Sequence, residues 1–453
     1  MSAKPVVAVF DIGKTNKKLL LFNEHYQVVF EHSERIDEVI DEDGYPCDDI
    51  EKLRAFVRDN LNKVLKAEFY KIKAVNFAAY GASFVYIDQH GEVLTPLYNY
   101  LKPYPYKLSR QFYNTYGEPE AIALQTASPA LGNLNSGMQL YCLKHQQPEV
   151  FKKIEAALHL PQYLSFLLTG RAVSELTSIG CHTALWDFAL NDYHRWVYEE
   201  KLNEVLPPLK TANDVVKVDF NGHNMHVGTG LHDSSAALIP YLISFTKPFV
   251  LLSTGTWSIT LNPFDQTPLT TEQLEKDCLN YIQYEGKPVK AARYFAGPEY
   301  EQRLAQIAAH FGQSVKKYEE LTFDKAIADK MQSKQAVTRG SLNQSSPTTD
   351  NTNLEMFNND IEAYYWLMTD IVSKQRASTE LVMNGTPVKY LFVDGGFSKN
   401  EIFMHLLASA FPHLEVYAAG MPQATAIGAA LAIHHGWNHN PYPADLISLK
   451  RYS

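Results

Sequence analysis

Four short segments of this 453-residue sequence bring carboxylates, hydroxyl groups and glycines close together, as catalytic and anion-binding loops do. They are residues 11–15 (Asp-Ile-Gly-Lys-Thr), 230–233 (Gly-Leu-His-Asp), 253–256 (Ser-Thr-Gly-Thr) and 394–396 (Asp-Gly-Gly). A carboxylate can accept a proton as a general base, and backbone N–H groups beside small residues can bind phosphate. Taken alone, each segment also has the composition of an ordinary turn with no further function. Asp233 also fits the N-cap of a helix.

The Gly-Lys-Thr sequence of residues 13–15 does not form a P-loop. That motif requires a glycine at position 8, where the chain has Ala8, and a helix after the Lys-Thr pair. Residues 18–22 (Lys-Leu-Leu-Leu-Phe) predict a strand instead. Two interpretations stay open here: a hairpin turn that binds phosphate through backbone N–H groups and the Thr15 hydroxyl, and a turn with no further function.

The elements that position these segments follow the same order in both halves of the chain. Apolar runs at 6–10, 18–22 and 26–30 predict an antiparallel meander, followed by a helix at 50–67 and a strand at 74–79. From residue 249 a strand, the polar turn 253–256 and a second strand return, so we predict that a β-β-β-α-β core occurs twice. Further predicted elements are helices at 136–144, 149–158, 161–168, 360–382, 400–411 and 424–434, strands at 220–227, 389–393 and 414–417, and a polar surface excursion at 333–353.

Composition narrows the classes of protein and partner. The length suits two or three domains, and a hydrophobic fraction of 45% can supply a large core. The chain has 41 basic and 50 acidic residues, a formal charge of −9, which disfavours binding to nucleic acid. Its four dispersed cysteines favour a reducing compartment, and no stretch approaches the ~20 apolar residues of a membrane span. We therefore expect a cytoplasmic protein without nucleic-acid or membrane partners.

The order of the turns resembles that of the actin, heat-shock chaperone and sugar-kinase ATPases. Within this superfamily the whole chain is similar to the FGGY carbohydrate kinases, and most similar to their rhamnulokinase and fuculokinase branch. The segments that carry the resemblance are 80–85 (Tyr-Gly-Ala-Ser-Phe-Val), 161–170 (Pro-Gln-Tyr-Leu-Ser-Phe-Leu-Leu-Thr-Gly), 175–178 (Glu-Leu-Thr-Ser), 230–233, 253–258 (Ser-Thr-Gly-Thr-Trp-Ser) and 395–400 (Gly-Gly-Phe-Ser-Lys-Asn). The chain departs from the family pattern at Lys14, at Gln423 and at Tyr80, Ala82 and Ser83.

The resemblance implies an α/β fold in which two ribonuclease H-like (actin-like ATPase) domains flank a catalytic cleft. It places an N-terminal domain at 1–240, with the sugar site and the base, and a C-terminal nucleotide-binding domain at 241–453. It implies ATP-dependent phosphorylation of a small ketose, either a 6-deoxyketohexose like L-rhamnulose or L-fuculose or a ketopentose, at a terminal hydroxyl. The alternatives are a non-catalytic sugar or nucleotide sensor, a chaperone-type ATPase and a kinase of another polyol. We expect a monomer or a homodimer.

The same resemblance assigns roles to individual residues. Asp233 is the expected general base, for which the ordinary aspartate pKa suffices at neutral pH. ATP and Mg²⁺ are the expected cofactors, with Asp11 anchoring the metal. The residues expected to bind the nucleotide are Asp11, Gly13, Lys14, Thr15, Asn16, Lys18, Thr254, Gly255, Thr256, Gly395, Gly396 and Asn400. The residues expected to contact the sugar are Gly81, Ala82, Ser83 and His232.

Overall fold

The computed structural model describes residues 3–342, 353–421 and 423–453, and each half of the chain contains a seven-stranded mixed sheet. The strands of the N-terminal half are β1 (Lys4–Ile12), β2 (Lys17–Phe22), β3 (Val28–Glu34), β4 (Val39–Ile40), β5 (Pro46–Cys47), β6 (Tyr70–Ala79), β7 (Phe84–Ile87), β8 (Ala156–His159), β9 (Ser174–Glu175), β10 (Trp186–Asp187), β11 (Asp192–Tyr193), β12 (Leu209–Lys210), β13 (Val215–Phe220), β14 (His223–Gly228) and β15 (Leu231–His232). Its helices are α1 (Ile50–Lys66), α2 (Tyr106–Tyr116), α3 (Pro119–Thr126), α4 (Ser136–Gln146), α5 (Pro148–Phe151), α6 (Leu160–Thr169), α7 (Leu176–Ile179), α8 (Arg195–Glu199) and α9 (Asp233–Ser244).

The C-terminal half contains the second sheet and the helices that cover it. Its strands are β16 (Phe249–Thr254), β17 (Ser258–Asn262), β18 (Cys278–Ile282), β19 (Pro288–Tyr294), β20 (Tyr390–Gly395), β21 (Glu415–Gly420) and β22 (Ser448–Tyr452). Its helices are α10 (Thr271–Glu275), α11 (Ala296–His310), α12 (Lys325–Leu342), α13 (Asp360–Glu380), α14 (Glu401–Ala410) and α15 (Ala424–Ala432).

The two sheets share one topology. In the first, β1 pairs antiparallel with β2 and β2 with β3, and β6 returns parallel to β1 after helix α1. In the second, β17 pairs antiparallel with β16 and β19, the intervening β18 adds an edge strand beside β19, and β20 returns parallel to β16 after helix α13. The central strands β1 and β16 are continuous apolar runs because both faces of each sheet are covered. The predicted repetition of the β-β-β-α-β core is therefore confirmed at the level of strand order.

Helix α15 joins the two halves. Although it follows the C-terminal sheet in sequence, it packs against β1, β6 and α9 of the N-terminal half. The contact with α9 is close, because a Cβ atom added to Gly428 would lie 1.8 Å from the Ala236 carbonyl oxygen. Helix α9 spans residues 233–244, so the predicted division at 240 and 241 falls within it and stays a prediction.

Three sequence predictions need correction or completion. The helix predicted at 149–158 is wrong, since α5 ends at Phe151 and the apolar run that follows pairs with β7 as β8. The single strand predicted at 220–227 is a hairpin of β13 and β14, which turns at Asn221 and Gly222, both with positive φ. Within the excursion predicted at 333–353, residues 333–342 belong to α12, and 343–352 lie outside the described residues.

Candidate active site

A cleft of about 700 Å³ receives residues from both halves of the chain. The hairpin of β1 and β2 contributes Asp11 and Lys18, which are paired across its two strands. The opposite wall comes from the end of β20 and from β21, β22 and α15. The residues of the C-terminal half that line the cleft are Ser253, Asp394, Gly395, Gly396, Ser398, Lys399, Ala418, Ala419, Gly420, Met421, Gln423, Ala424, Thr425, Ser448 and Lys450. Ala237 of α9 completes it.

A second cavity of about 450 Å³ shares Gly396 and Lys399 with this cleft. Its other lining residues are Gly255, Gly297, Tyr300, Glu301, Glu319, Phe397 and Asn400. The rings of Tyr300 and Phe397 meet edge to face at 5.2 Å between centroids. A polar cleft with lysines beside an aromatic cavity suits a ligand that carries phosphates on a planar base.

The predicted base Asp233 lies where β15 passes into α9. It is the first residue of the helix, and the N-cap is His232, so the N-cap interpretation of Asp233 is wrong. Its Oδ1 accepts the Ser234 backbone N–H at 2.6 Å and lies 3.2 Å from His232 Nε2, while one third of the side chain stays exposed. Strand β15 continues along β6 with His232 opposite Ala79, which fixes the loop at the end of the N-terminal sheet.

Burial changes the proton affinity of the carboxyls here. It raises the pKa of Asp233 to about 6, against the opposing effect of the Ser234 N–H. Burial, and then the charge of Asp233, raises the pKa of Asp11 to about 7, although Lys18 lowers it. Asp233 therefore differs from an ordinary aspartate, yet it is still mostly ionised at neutral pH, as a general base must be. Two neighbouring carboxyls with raised pKa values, of which Asp11 lines the cleft, are typical of an acid–base or cation-binding site.

The residues expected to contact the sugar separate into two pairs. Gly81 lies against His232, since a Cβ added there would be 3.0 Å from the imidazole Cδ2. His232 is buried, and burial lowers its pKa to about 4, so the ring is neutral at pH 7. Ala82 and Ser83 are each only 2% exposed, and the Ala82 carbonyl accepts an N–H of Gln139 at 2.6 Å. The structure thus places Gly81 and His232 beside the base, and Ala82 and Ser83 inside the protein.

The first predicted phosphate turn is open at its tip. Gly13 donates its N–H to the Asn16 carbonyl at 3.0 Å, and Thr15 and Asn16 are exposed. Lys14 is not among the residues that line the 700 Å³ cleft, because its ammonium contacts Asp48 instead. Its assignment to the nucleotide stays a prediction.

In the C-terminal half, two of the residues predicted to bind nucleotide hold the loop itself. The Thr254 hydroxyl donates to the Asp394 carbonyl at 2.6 Å and accepts the Phe397 N–H at 3.0 Å. Asn400 caps α14 by accepting the Phe403 N–H, and it donates to the Tyr364 hydroxyl at 2.7 Å.

The glycines in the C-terminal half lack a Cβ atom, so another backbone segment or a ligand can approach their backbone closely. Gly395 has a φ of +86°, and a Cβ there would lie 1.9 Å from the Thr254 carbonyl oxygen. Gly396 has open space at its Cβ position and lines both cavities, and Gly255 and Thr256 are exposed. These backbone groups, rather than the side chains of Thr254 and Asn400, are available to a ligand.

Sequence reasoning missed Asp394 as a site residue. It lines the cleft with Asp11, accepts the Gly395 N–H at 2.7 Å, and burial raises its pKa. The sequence signal that could have indicated Asp394 was an acidic residue directly before a Gly-Gly turn.

Within the described residues, no three His, Cys, Asp or Glu side chains form a metal-binding group. The carboxylates of Asp11 and Asp394 still fit Mg²⁺, because proteins bind this ion through one or two carboxylates together with substrate phosphates.

Two sheets of repeated topology that flank a cleft, with a hairpin from each half at its edge, define the actin-like ATPase fold. Family models match nearly the whole chain: "FGGY family of carbohydrate kinases, N-terminal domain" covers residues 6–239, and "Carbohydrate kinase FGGY, C-terminal domain" covers residues 246–441. The chain belongs to the FGGY family of carbohydrate kinases.

Individual relatives agree with this assignment. A rhamnulokinase of Halalkalibacterium halodurans is 28% identical over 55% of this chain, a match that spans about half (52%) of that relative's length. A rhamnulokinase of Oceanobacillus iheyensis is 23% identical over 92% of this chain and 90% of its own. The crystal structure of a carbohydrate kinase from Novosphingobium aromaticivorans superposes with a TM-score of 0.79 at 24% identity, covering 99% of this chain and 94% of the other. Among the described helices, none has the length and apolar character to cross a membrane.

Proposed function

We propose that this protein transfers the γ-phosphoryl group of ATP to a terminal hydroxyl of a small ketose, with Asp233 as general base. The observation that carries the proposal is the position of Asp233 at the start of α9, where its charge acts on Asp11 in the cleft to which both halves contribute. The relatives named rhamnulokinase support a 6-deoxyketohexose like L-rhamnulose as the acceptor, and L-fuculose or a ketopentose is the alternative.

The base works through its immediate neighbours. With a pKa of about 6, Asp233 is mostly ionised at pH 7 and takes the proton of the attacking hydroxyl. The Ser234 N–H and the neutral imidazole of His232 both contact Oδ1, which leaves Oδ2 to face the substrate. The sugar lies beside Gly81 and His232, next to this oxygen.

The nucleotide occupies the two cavities. Lys18, Lys399 and Lys450 line the 700 Å³ cleft and offset the charge of the phosphates, and the base moiety lies against Tyr300 in the 450 Å³ cavity. Asp11 and Asp394 would hold Mg²⁺. When bound, the ion neutralises charge on the β- and γ-phosphates.

A panel of acceptors tests the proposal. ADP formation is measured with Mg²⁺, ATP and either L-rhamnulose, L-fuculose, D-xylulose, L-ribulose, glycerol or gluconate, and the expected result is turnover that depends on one of the ketoses. ADP formation at the same rate without any sugar would identify a chaperone-type ATPase. Binding of sugar and ATP without turnover would identify a sensor, and preference for glycerol would identify a polyol kinase.

A further inference from the structure

The ammonium group of Lys14 belongs to a polar cluster beside the β1–β2 hairpin, in which Lys17, Asp48 and Tyr80 are buried while Lys14 and Glu38 reach the surface. Its Nζ lies 2.5 Å from Asp48 Oδ2 and 3.2 Å from Glu38 Oε1. Asp48 is 5% exposed, and its other oxygen accepts Lys17 Nζ at 3.0 Å. The same Asp48 Oδ2 accepts the Tyr80 hydroxyl at 2.8 Å. Asp48 therefore connects the β1–β2 hairpin to Tyr80, the residue directly before Gly81.

Aromatic rings fix the direction of this side chain. Lys14 Nζ lies 5.7 Å from the centroid of the Tyr80 ring and 5.8 Å from that of Tyr100. The two rings meet edge to face at 6.1 Å. The charges of both Lys14 and Asp233 act on the Tyr100 hydroxyl, so Tyr100 lies within electrostatic range of both the cluster and the base.

One N–H of Lys14 is available to a ligand. An ammonium group has three donors, and within the described part of the chain the acceptors of Lys14 are the carboxylates of Asp48 and Glu38. The Lys14 side chain is 27% exposed, whereas Lys17 is 1% exposed and its ammonium donates to Asp48 and to the Lys14 carbonyl inside the protein. Lys18, on the other face of the same strand, lines the nucleotide cleft. The three lysines of the hairpin thus have three different surroundings.

We infer that Lys14 contacts the sugar and not the nucleotide. Together with Tyr100, it binds an oxygen of the acceptor that is remote from the hydroxyl that is phosphorylated. This rests on the proposed function, and it replaces the assignment of Lys14 to the phosphates.

The charge of the cluster also limits the chemistry of the acceptor. Lys14 and Lys17 carry two positive charges, and Asp48 and Glu38 carry two negative ones, so the formal charges cancel. A site built for a sugar acid needs an uncompensated cation near the carboxylate. Lys14 therefore acts as an oriented hydrogen-bond donor to a hydroxyl or carbonyl oxygen, and the acceptor is a neutral ketose rather than an aldonate.

The experiment compares Lys14→Met, which keeps the alkyl chain and removes the donor, with Lys14→Arg and Lys18→Met. For Lys14→Met we expect kcat/KM for the best ketose to fall roughly 10- to 100-fold, the range for a lost hydrogen bond to a charged group. KM for ATP and the Kd for ADP should stay within about twofold. Lys14→Arg should recover part of the loss, and Lys18→Met should raise KM for ATP instead. Lys52→Met, on the exposed face of α1, is the neutral control.

The outcomes separate this inference from the proposed function. A higher KM for ATP in Lys14→Met with an unchanged KM for the sugar overturns the inference and returns Lys14 to the phosphates. Lys14→Met could also be less stable in thermal melts. In that case an unchanged ADP affinity of Lys14→Met, together with recovered activity in Lys14→Arg, still supports the inference. Loss of ADP binding in both Lys14 variants contradicts it. If the protein phosphorylates an aldonate with the same kcat/KM as the ketose, the argument from the charge of the cluster is wrong. A wild-type protein that phosphorylates no sugar refutes the proposed function, and the inference with it.

Discussion

Asp233 gives the reaction a pH dependence that an ordinary aspartate would not. With a pKa of about 6, the carboxyl is about 9% ionised at pH 5 and about 91% ionised at pH 7. At saturating Mg²⁺ and ATP, which keep Asp11 ionised, the value of kcat/KM for the sugar should therefore rise about tenfold between pH 5 and pH 7 and level off above it, because only the ionised form of Asp233 accepts the proton. An aspartate with the ordinary pKa of 3.8 would already be about 94% ionised at pH 5.

The assay is an initial-rate measurement of ADP formation at low sugar concentration, in buffers of constant ionic strength from pH 5 to pH 8. It is paired with Asp233→Asn, which keeps an acceptor for the Ser234 N–H but cannot take a proton. We expect this variant to lose on the order of 10²–10⁴-fold in kcat while ATP binding survives. Asp219→Asn, at the exposed end of β13 next to the hairpin turn, controls for loss of charge alone. A flat profile between pH 5 and pH 8, or Asp233→Asn with near wild-type kcat, would refute the assignment of the base.

Three further outcomes are expected. Asp11→Ala should shift the Mg²⁺ dependence to higher concentration and lower kcat more than it alters sugar affinity; an unchanged Mg²⁺ titration contradicts a metal role for Asp11. Gly395→Ala should cost about 1–3 kcal/mol of unfolding free energy in denaturant melts, because its Cβ would lie 1.9 Å from the Thr254 carbonyl oxygen. Gly385→Ala has a similar φ of +77° but open space, so an equal cost in both variants would show that the close approach contributes nothing. Sugar with a non-hydrolysable ATP analogue should reduce the radius of gyration in small-angle scattering, and ATP hydrolysis without sugar should be slow; an identical radius in all states, with rapid sugar-independent hydrolysis, contradicts domain closure.

The strand order was predictable because its signals are local. The apolar runs that became β1 and β16 are short, continuous and rich in β-branched or aromatic residues, as buried strands are, and the polar turns after them mark the hairpins. The error at 149–158 arose where local signals are weak. Ala156, Ala157 and Leu158 have no strong strand propensity, and β8 forms because β7 offers a partner.

The site was predictable in position but not in side-chain direction. Asp11, Lys18 and Gly396 do line the cleft, as their loops suggested. Thr254 and Asn400 lie in the right loops, yet their polar atoms satisfy backbone N–H groups nearby, which sequence spacing cannot reveal. The pKa values of Asp11 and Asp233 depend on burial by distant parts of the chain, so they too required the fold.

Helix α15 determines when this chain can finish folding during synthesis. The face of the first sheet that carries Val7 and Val9 is covered by residues of α15, which ends at Ala432. After the first half has been made, roughly 190 more residues must be translated before that cover exists, about 10 to 40 s at ordinary elongation rates. Throughout that interval the nascent chain presents an apolar sheet face, so we expect it to need chaperone protection on the ribosome, and the two halves to mature together rather than one after the other.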